Sequence, residues 1–353
     1  MPGSQRAANV CILCANQIGV VNMPVVTVLM AVHNAAQFLE EAIGSVLNQT
    51  FQEFEFLVIN DGSTDATGEI LSAYADPRLR VIRLAENMGL AAALNVGIRE
   101  SRCDLIARMD GDDVCDPQRL AMQVAFLREH PDVLLLGTGF VRTDANGKAF
   151  ERVRYPTDDA VLQKRLLDGN QFCHPSVMFR TDVARRLGGY RALAGGTAQD
   201  YDLWLRIAEQ GKIANLPEML LRYRSHESQT SVSKLVRQRQ AAHLYLTLAL
   251  QRRAGKAEDI DAAQQASDCT QPAVVQALRT DYLRWAERFA ATGRRRLAIQ
   301  MLSSAFRLDY KHPGVWSGLW RILAGEWGSS WPGKRVLWYS KRVAQWLRHG
   351  SVK

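Results

Sequence analysis

The sequence predicts an α/β fold: a mixed, mainly parallel sheet with helices on both faces, followed by a mostly α-helical C-terminal region. Short apolar runs alternate with helical patterns along the N-terminal half, which is typical of a parallel sheet with covering helices. Acidic or amide residues follow these apolar runs, at the carboxyl ends of the predicted strands, and parallel sheets bind their ligands at those ends. With 353 residues, 47% of them hydrophobic, the chain can bury a full domain core and still supply a second unit.

The first two predicted strands each end in polar residues. Val25 to Val32 is a run of β-branched and apolar residues that ends in His33-Asn34, and such a run is typical of a buried parallel strand. An amphipathic helix is predicted from about Phe38 to Leu47. The second strand, Phe54 to Ile59, leads into Asn60-Asp61-Gly62-Ser63-Thr64-Asp65. There the glycine allows a sharp turn, and one of the last three residues is predicted to cap the helix that follows.

The next two strands continue the pattern. Leu79 to Leu84 is a third strand, followed by Glu86-Asn87-Met88-Gly89 and a helix from about Leu90 to Glu100. The fourth strand begins at Leu105 and ends in Asp110-Gly111-Asp112-Asp113. Because the carboxyl ends of parallel strands share one edge of a sheet, the polar residues that end these strands are predicted to lie together.

Three carboxylates at the end of one strand predict a divalent cation site. Mg²⁺ and Mn²⁺ prefer oxygen ligands, and in phosphate chemistry they bind through one or two carboxylates together with the substrate phosphates. Asp110, Asp112 and Asp113 offer such oxygens within four residues. The alternative is an acidic turn that caps the helix predicted to begin near Pro117.

Several sequence blocks occur together in one order. In chain order they are Val28–Asn34, Asp61–Asp65, Asn87-x-Gly89 with Asn95-x-Gly97, Arg108–Asp113 with Pro117-x-Arg119-Leu120 and Gln123, His174-Pro175-Ser176, Gln199–Arg206, and Tyr223-Arg224-x-His226. Over about Pro24 to Ser231 these blocks closely resemble the family 2 glycosyltransferases. Those are inverting enzymes of the Rossmann-like GT-A fold, which transfer a sugar from a nucleoside diphosphate to an acceptor hydroxyl. No Gly-x-Gly-x-x-Gly follows the first strand, which disfavours a dinucleotide site.

The resemblance implies a nucleotide-sugar site at the strand ends. Asp61 matches an aspartate that accepts a hydrogen bond from uracil, and a carboxylate can recognise an imide N–H. The segment that includes Val32 and His33 matches backbone that lies against the base, and Asn87 falls at the same edge. The alternative for Asp61 is a helix-capping Asx turn.

The resemblance also implies the metal ligands. Asp110 matches a residue that contacts the ribose and the metal, Asp112 matches a direct ligand, and Asp113 is expected to hold the loop by hydrogen bonds. His226 matches a further metal or phosphate contact, with a packing role as the alternative. The implied cofactor is Mn²⁺ or Mg²⁺, which stabilises the leaving diphosphate as a Lewis acid. His174 is either an acceptor-site residue or one that shapes its loop.

An acceptor hydroxyl needs a base, and the resemblance assigns that role to Asp200. The family commonly has glutamate before this aspartate, whereas this chain has Gln199, so one nearby charge is missing. Asp200 also precedes a helical pattern from Tyr201 to Ala208 and is predicted to cap it. A purely capping role for Asp200, with Asp202 as the competing base, is the alternative.

The tail differs from the rest of the chain. From Lys234 onward it has 21 basic and 8 acidic residues and so a net charge of +13, whereas residues 1–233 carry −5, which gives the chain its +8. Six of the eight tryptophans fall between Trp316 and Trp346 among basic residues. Basic helices with tryptophan suit an anionic membrane surface, and the alternative is a helical cap with internally packed tryptophans. Nucleic acid is not expected as a partner, because no recognition motif accompanies the charge.

These observations predict three segments: residues 1–22 as a leader or a spurious extension, 23–231 as the GT-A domain and 232–353 as the basic helical region. The six cysteines are expected to be free thiols, as in a cytoplasmic protein. The protein is expected to lie in the cytoplasm, peripherally at the inner membrane. The predicted function is metal-dependent, inverting transfer from a UDP-sugar to a lipid-linked or glycan acceptor in cell-surface polysaccharide or glycolipid assembly. The alternative is a non-catalytic nucleotide-sugar-binding or scaffolding protein.

Overall fold

A computed structural model of the protein describes residues 24–225, 235–309 and 315–316. Its N-terminal part alternates strands and helices. The elements are β1 (Val26–Val32), α1 (Ala36–Leu47), β2 (Phe54–Asp61), α2 (Thr67–Ser72), β3 (Leu79–Leu84), α3 (Leu90–Glu100) and β4 (Leu105–Met109). Each predicted strand and helix of this part is present within a few residues of its predicted bounds.

The middle of the chain adds strands that are less regular in direction and length. These elements are β5 (Val114–Cys115), α4 (Arg119–Glu129), β6 (Val133–Thr143), β7 (Ala149–Val153), α5 (Asp159–Arg165), a 3₁₀ turn (His174–Ser176), β8 (Met178–Arg180), α6 (Thr181–Arg186), α7 (Gln199–Ala208) and β9 (Lys212–Arg224). The C-terminal region is helical where it is described: α8 (Leu235–Arg253), α9 (Ile260–Ala266), α10 (Pro272–Ala291) and α11 (Arg295–Leu308).

The strands of the described residues join in one mixed sheet of nine, in the order β3-β2-β1-β4-β8-β6-β9-β5, with β7 paired to β6. The four strands β3, β2, β1 and β4 run parallel, and β8 and β5 are antiparallel to their neighbours. The register pairs Val32 with Asn60 and Met30 with Met109. The ends of β1, β2 and β4 therefore lie side by side, and the predicted fold class is confirmed.

The sheet separates two hydrophobic cores because successive strand residues point to opposite faces. On β1, Leu29 and Ala31 pack with α3, α7 and α8, whereas Val28 and Met30 pack with α1 and α4. Both sides of these strands are buried, as expected for a parallel sheet covered on both faces.

The turn after β2 is held by contacts across the sheet edge. The Ser63 hydroxyl accepts the Asn34 backbone N–H at 3.0 Å, and Asp65 Oδ2 accepts the Ala36 N–H at 3.2 Å, so both serve the start of α1. Asp65 Oδ1 also accepts the Thr67 N–H at 3.0 Å, at the first residue of α2. The N-cap of α2 is Ala66, so none of the three predicted residues is its cap, although Asp65 binds the N–H of its first residue. Ser63 instead binds the backbone just before α1.

Helix α8 packs directly on α7, on one side of the sheet. Its Ala241, Leu244, Tyr245 and Leu248 share a core with α7. Charged groups join the same elements: the fully buried Asp202 of α7 binds Arg206 and Arg191, and Arg191 also binds Glu258 before α9. Among the described helices, none combines the length and apolar character needed to cross a bilayer.

Asp202→Asn should lower the free energy of unfolding by roughly 3 kcal/mol or more, because it leaves two arginines without their shared buried carboxylate. Urea denaturation measures this change. The matched control is Asp182→Asn, which breaks an exposed pair with Arg186 one helical turn away. That change should stay within about 0.5 kcal/mol. Equal effects of the two substitutions would contradict the prediction.

Candidate functional site

Asp61 ends β2 and holds the start of α3. Its Oδ1 accepts the Met88 N–H at 2.8 Å and its Oδ2 accepts the Gly89 N–H at 2.9 Å. The nearby Asx turn is made by Asn60, whose Oδ1 accepts the Ser63 N–H at 3.1 Å, so the Asx-turn alternative for Asp61 is wrong. Gly62 has φ +61°, and a Cβ there would lie 2.5 Å from backbone carbon of Glu86. Only glycine therefore fits between these two loops.

The end of β1 contacts both of its neighbours. His33 Nδ1 lies 2.7 Å from the Asp61 carbonyl oxygen. Val32 is buried beneath the loop that follows β4, and a Cβ on Gly111 would lie 2.7 Å from Val32 Cγ1. Gly111 thus lets the loop approach β1 closely. The Asn87 side-chain oxygen accepts the Gly89 N–H at 2.9 Å, on the exposed side of this edge.

The loop after β4 gathers three carboxylates, and Asp110, Asp112 and Asp113 each present one oxygen within 4.8 Å of the others. Burial raises the pKa of Asp113 well above its usual value, and the charges of Asp112 and Asp110 raise it further. Burial also raises the pKa of Asp110, against the attraction of Arg108. These oxygens repel one another, and a divalent cation would relieve that repulsion.

The residues present fit Mg²⁺ or Mn²⁺, because the cluster consists of hard oxygen donors. Asp110 is 28% exposed, whereas Asp113 is 1% exposed and its Oδ1 accepts the Arg224 backbone N–H at 2.8 Å. Asp113 therefore holds the loop, as the sequence predicts. The alternative of a helix-capping acidic turn is wrong, because α4 begins after Gln118 with no side-chain cap.

Arg108 lies beneath the carboxylates and is completely buried on β4. Its Nη1 forms an ion pair with Asp110 Oδ1 at 2.5 Å. Apart from this ion pair, none of its guanidinium nitrogens has a hydrogen-bond partner within the described part of the chain. A buried cation is costly without a counter-charge, so Arg108 and the acidic loop stabilise each other.

Asp200 lies on the same side of the sheet. Its Oδ2 accepts a hydrogen bond from Asn170 Nδ2 at 2.8 Å. Its charge adds to the effects that raise the pKa of Asp110, so the charges of the two carboxylates interact. Burial raises the pKa of Asp200 itself, although its hydrogen bonds and Arg108 oppose this.

The predicted helix cap at Asp200 is wrong. Helix α7 begins at Gln199, its N-cap is Ala198 in a left-handed conformation with φ +52°, and no side chain caps it. Asp200 instead lies in the first turn, where a negative charge is favoured by the helix dipole. The competing base Asp202 is also excluded, because it is fully buried between Arg191 and Arg206.

Of the two remaining histidines of the predicted site, the structure describes His174 but not His226. His174 is packed inside the protein: its Nε2 lies 3.1 Å from the Tyr190 hydroxyl, and its ring contacts the ring of Trp204. Burial and the neighbouring Arg108 lower the pKa of His174 well below its usual value. The lowered pKa favours the neutral form of His174, and the rings of Tyr190 and Trp204 hold it in place. His226 lies outside the described residues.

The structure therefore brings Asp61, Asp110, Asp112 and Asp200 to one edge of the sheet, beside Val32, His33 and Asn87. Sequence reasoning assigned no role to Arg108, Asn170 or Arg224. Arg108 and Arg224 lie inside the sequence blocks that resemble family 2 glycosyltransferases, so the sequence could have indicated a role for both. Asn170 follows an unremarkable turn, and only the fold brings it to Asp200.

Comparison with known proteins is consistent with this geometry. The model of the glycosyl transferase family 2 matches residues 27–188. The O-antigen biosynthesis glycosyltransferase WbnJ of Escherichia coli is 36% identical over 219 residues, which are 60% of this chain and 84% of WbnJ. The amylovoran biosynthesis glycosyltransferase AmsE of Erwinia amylovora is 32% identical over 205 residues, 56% of this chain and 76% of AmsE.

Solved structures share the fold at lower identity. Residues 1–349 of S. aureus TarS in complex with UDP-GlcNAc align with a TM-score of 0.53 and 17% identity, over 86% of this chain and 93% of that one. The mannosyltransferase PcManGT of Pyrobaculum calidifontis, in complex with GDP-Man and Mn²⁺, aligns with a TM-score of 0.50 and 20% identity, over 86% and 88%.

Proposed function

The chain belongs to glycosyltransferase family 2, and we propose that it transfers a sugar from a UDP-sugar, with inversion, to an acceptor hydroxyl in cell-surface polysaccharide or glycolipid assembly. The observation that carries the proposal is the convergence of Asp200 with the acidic loop at one sheet edge. The donor class is supported by UDP-GlcNAc in TarS, and the polysaccharide setting by the names of WbnJ and AmsE.

Binding of the nucleotide is assigned to the ends of β1 and β2. Val32 and His33 present backbone to the base, and Asp61 is held by two backbone N–H groups in a fixed orientation. A carboxylate oxygen has more than one lone pair, so Asp61 can also accept the imide N–H of uracil. Asn87 borders the same site on its exposed side.

Asp110, Asp112 and His226 would hold Mn²⁺ or Mg²⁺. When bound, the cation neutralises charge that develops on the departing diphosphate. Asp112 is partly exposed in the acidic loop and is the direct ligand in this proposal, and Asp110 combines a ligand role with its Arg108 ion pair. The Mn²⁺ bound to PcManGT supports the choice of metal.

Asp200 is the general base. It removes the acceptor hydroxyl proton as that oxygen attacks the anomeric carbon from the face opposite the diphosphate, which inverts the configuration. The Asn170 amide orients the carboxylate by donating a hydrogen bond to its Oδ2. The partly exposed position of Asp200 leaves room for an acceptor to approach.

The acceptor in this proposal is lipid-linked or a growing glycan, met at a membrane surface. The basic tail supports this, since lysines and arginines near an anionic leaflet each contribute about 1 kcal/mol of attraction. Such a leaflet is the cytoplasmic face of the inner membrane. Most of the tryptophan-rich part of the tail lies outside the described residues.

Asp200→Asn should reduce sugar transfer by about 10²–10⁴-fold, because an amide cannot accept the acceptor proton. Release of UDP from UDP-GlcNAc and other UDP-sugars, with and without acceptor glycans, measures the rate. Donor affinity should stay unchanged. Asp168→Asn is the matched control, since this exposed carboxylate lies nearby but outside the site. Wild-type turnover in Asp200→Asn would refute the base assignment, and donor binding without turnover in the wild type would favour the non-catalytic alternative.

Transfer should fall as the pH drops through the raised pKa of Asp200, because only the ionised carboxylate acts as a base. Burial raises this pKa and the Asn170 hydrogen bond lowers it. Asn170→Ala should therefore move the acidic limb of the kcat/KM profile to higher pH. An acidic limb at the wild-type pH would show that Asn170 does not act on the base.

Asp112→Asn should abolish the stabilisation by Mn²⁺ and UDP together, because one direct ligand loses its charge. Ligand binding to the folded state raises the melting temperature, so a thermal-shift screen measures it. The screen uses UDP and GDP, each with Mn²⁺, Mg²⁺ or a chelator. Asp116→Asn is the control, since Asp116 lies in the following turn and binds the Gln118 N–H. A wild-type shift that is the same in chelator would contradict metal-dependent donor binding.

A further inference from the structure

Arg224, the last residue of β9, contacts three separate parts of the fold that lie far from it in sequence. It is 4% exposed. Its Nε donates to the Asp112 carbonyl oxygen at 2.9 Å, and its Nη1 donates to the Ala145 carbonyl oxygen at 2.8 Å. Its Nη2 pairs with Glu41 of α1, and the guanidinium lies 4.5 Å from the centre of the Phe38 ring.

The backbone of the same residue adds a contact. The Arg224 N–H donates to Asp113 Oδ1 at 2.8 Å, so side chain and backbone together hold two consecutive residues of the acidic loop. A planar guanidinium presents its donors in a fixed fork, and each of its three nitrogens here has a different acceptor. A lysine ammonium at this position cannot satisfy all three directions.

The acidic loop needs contacts of this kind because β5, the strand that follows it, has only two residues. After Asp113 the chain forms β5, which has two residues and pairs with Arg222 and Leu221 of β9. Arg224 continues that contact beyond the end of the ladder. Through Phe38 and Glu41 it also binds the first turns of α1, which directly follow the end of β1.

We propose that Arg224 is a positioning residue, which fixes the acidic loop against α1 and thereby sets the metal-binding carboxylates relative to the nucleotide-binding end of β1. This inference rests on the proposed function for the identity of the site. The residue acts through the Asp112 backbone and the Asp113 carboxylate. It needs no contact with the sugar or the diphosphate.

The experiment compares the full chain with Arg224→Met and Arg224→Lys by two readouts. The first is the dissociation constant for Mn²⁺ alone, from isothermal titration calorimetry. Residues that orient metal ligands typically change metal affinity by about 10–100-fold, and Arg224→Met should weaken Mn²⁺ binding by that factor. Arg224→Lys should fall between Arg224→Met and the wild type. The second readout is amide hydrogen exchange without metal, which should accelerate in residues 110–116 of Arg224→Met and stay unchanged in β4.

The matched control is Arg180→Met. Arg180 also donates to two backbone carbonyls, of Val133 and Leu127, but it lies away from the acidic loop. Its loss should lower the melting temperature without changing Mn²⁺ affinity or exchange in residues 110–116. The inference is overturned if exchange in that loop is the same in Arg224→Met and the wild type. If the wild type binds no Mn²⁺ while the exchange difference is present, the metal assignment fails and the positioning role stands.

Discussion

The repulsion among carboxylates at one edge of the sheet is the constraint on which the rest of the site depends. The loop after β4 holds Asp110, Asp112 and Asp113 together, α7 brings Asp200 to the same edge, and partial burial makes their charges costly. A fold that tolerates this arrangement needs compensating positive charge close by. The same concentration of charge makes the edge a suitable place for a cation and a diphosphate.

Two arginines provide fixed positive charge in different ways. Arg108 pairs with Asp110 from inside the sheet, where it is completely buried. Arg224 holds the loop from the side, mainly through backbone atoms. A further charged cluster joins the helix of Asp200 to the C-terminal region: Asp202 binds Arg206 and Arg191, and Arg191 also binds Glu258. The C-terminal region thus stabilises the element that carries the proposed base.

The bounds of strands and helices could be predicted from the hydrophobic pattern of neighbouring residues where burial of one face decides the element. The bounds of β3 and α3 follow the hydrophobic pattern, because burial of one face decides both elements. Capping was not predictable in the same way. The hydroxyl of Ser63 serves α1 and no side chain caps α7, since a capping group needs only proximity in space. The Asn170 contact with Asp200 has the same origin, as it spans 30 residues and depends on how α7 packs.

The sequence by itself determined the fold class, the order of the strands that form the parallel half, and the acidic and amide residues at their ends. It could do so because strand periodicity and turn chemistry are properties of neighbouring residues. Only the tertiary structure decided between competing roles for the carboxylates: Asp113 is a loop anchor, Asp202 is a buried ion-pair partner, and Asp200 is partly exposed beside the acidic loop. These roles depend on burial and on the nearest opposite charge, and both are set by residues distant in the chain.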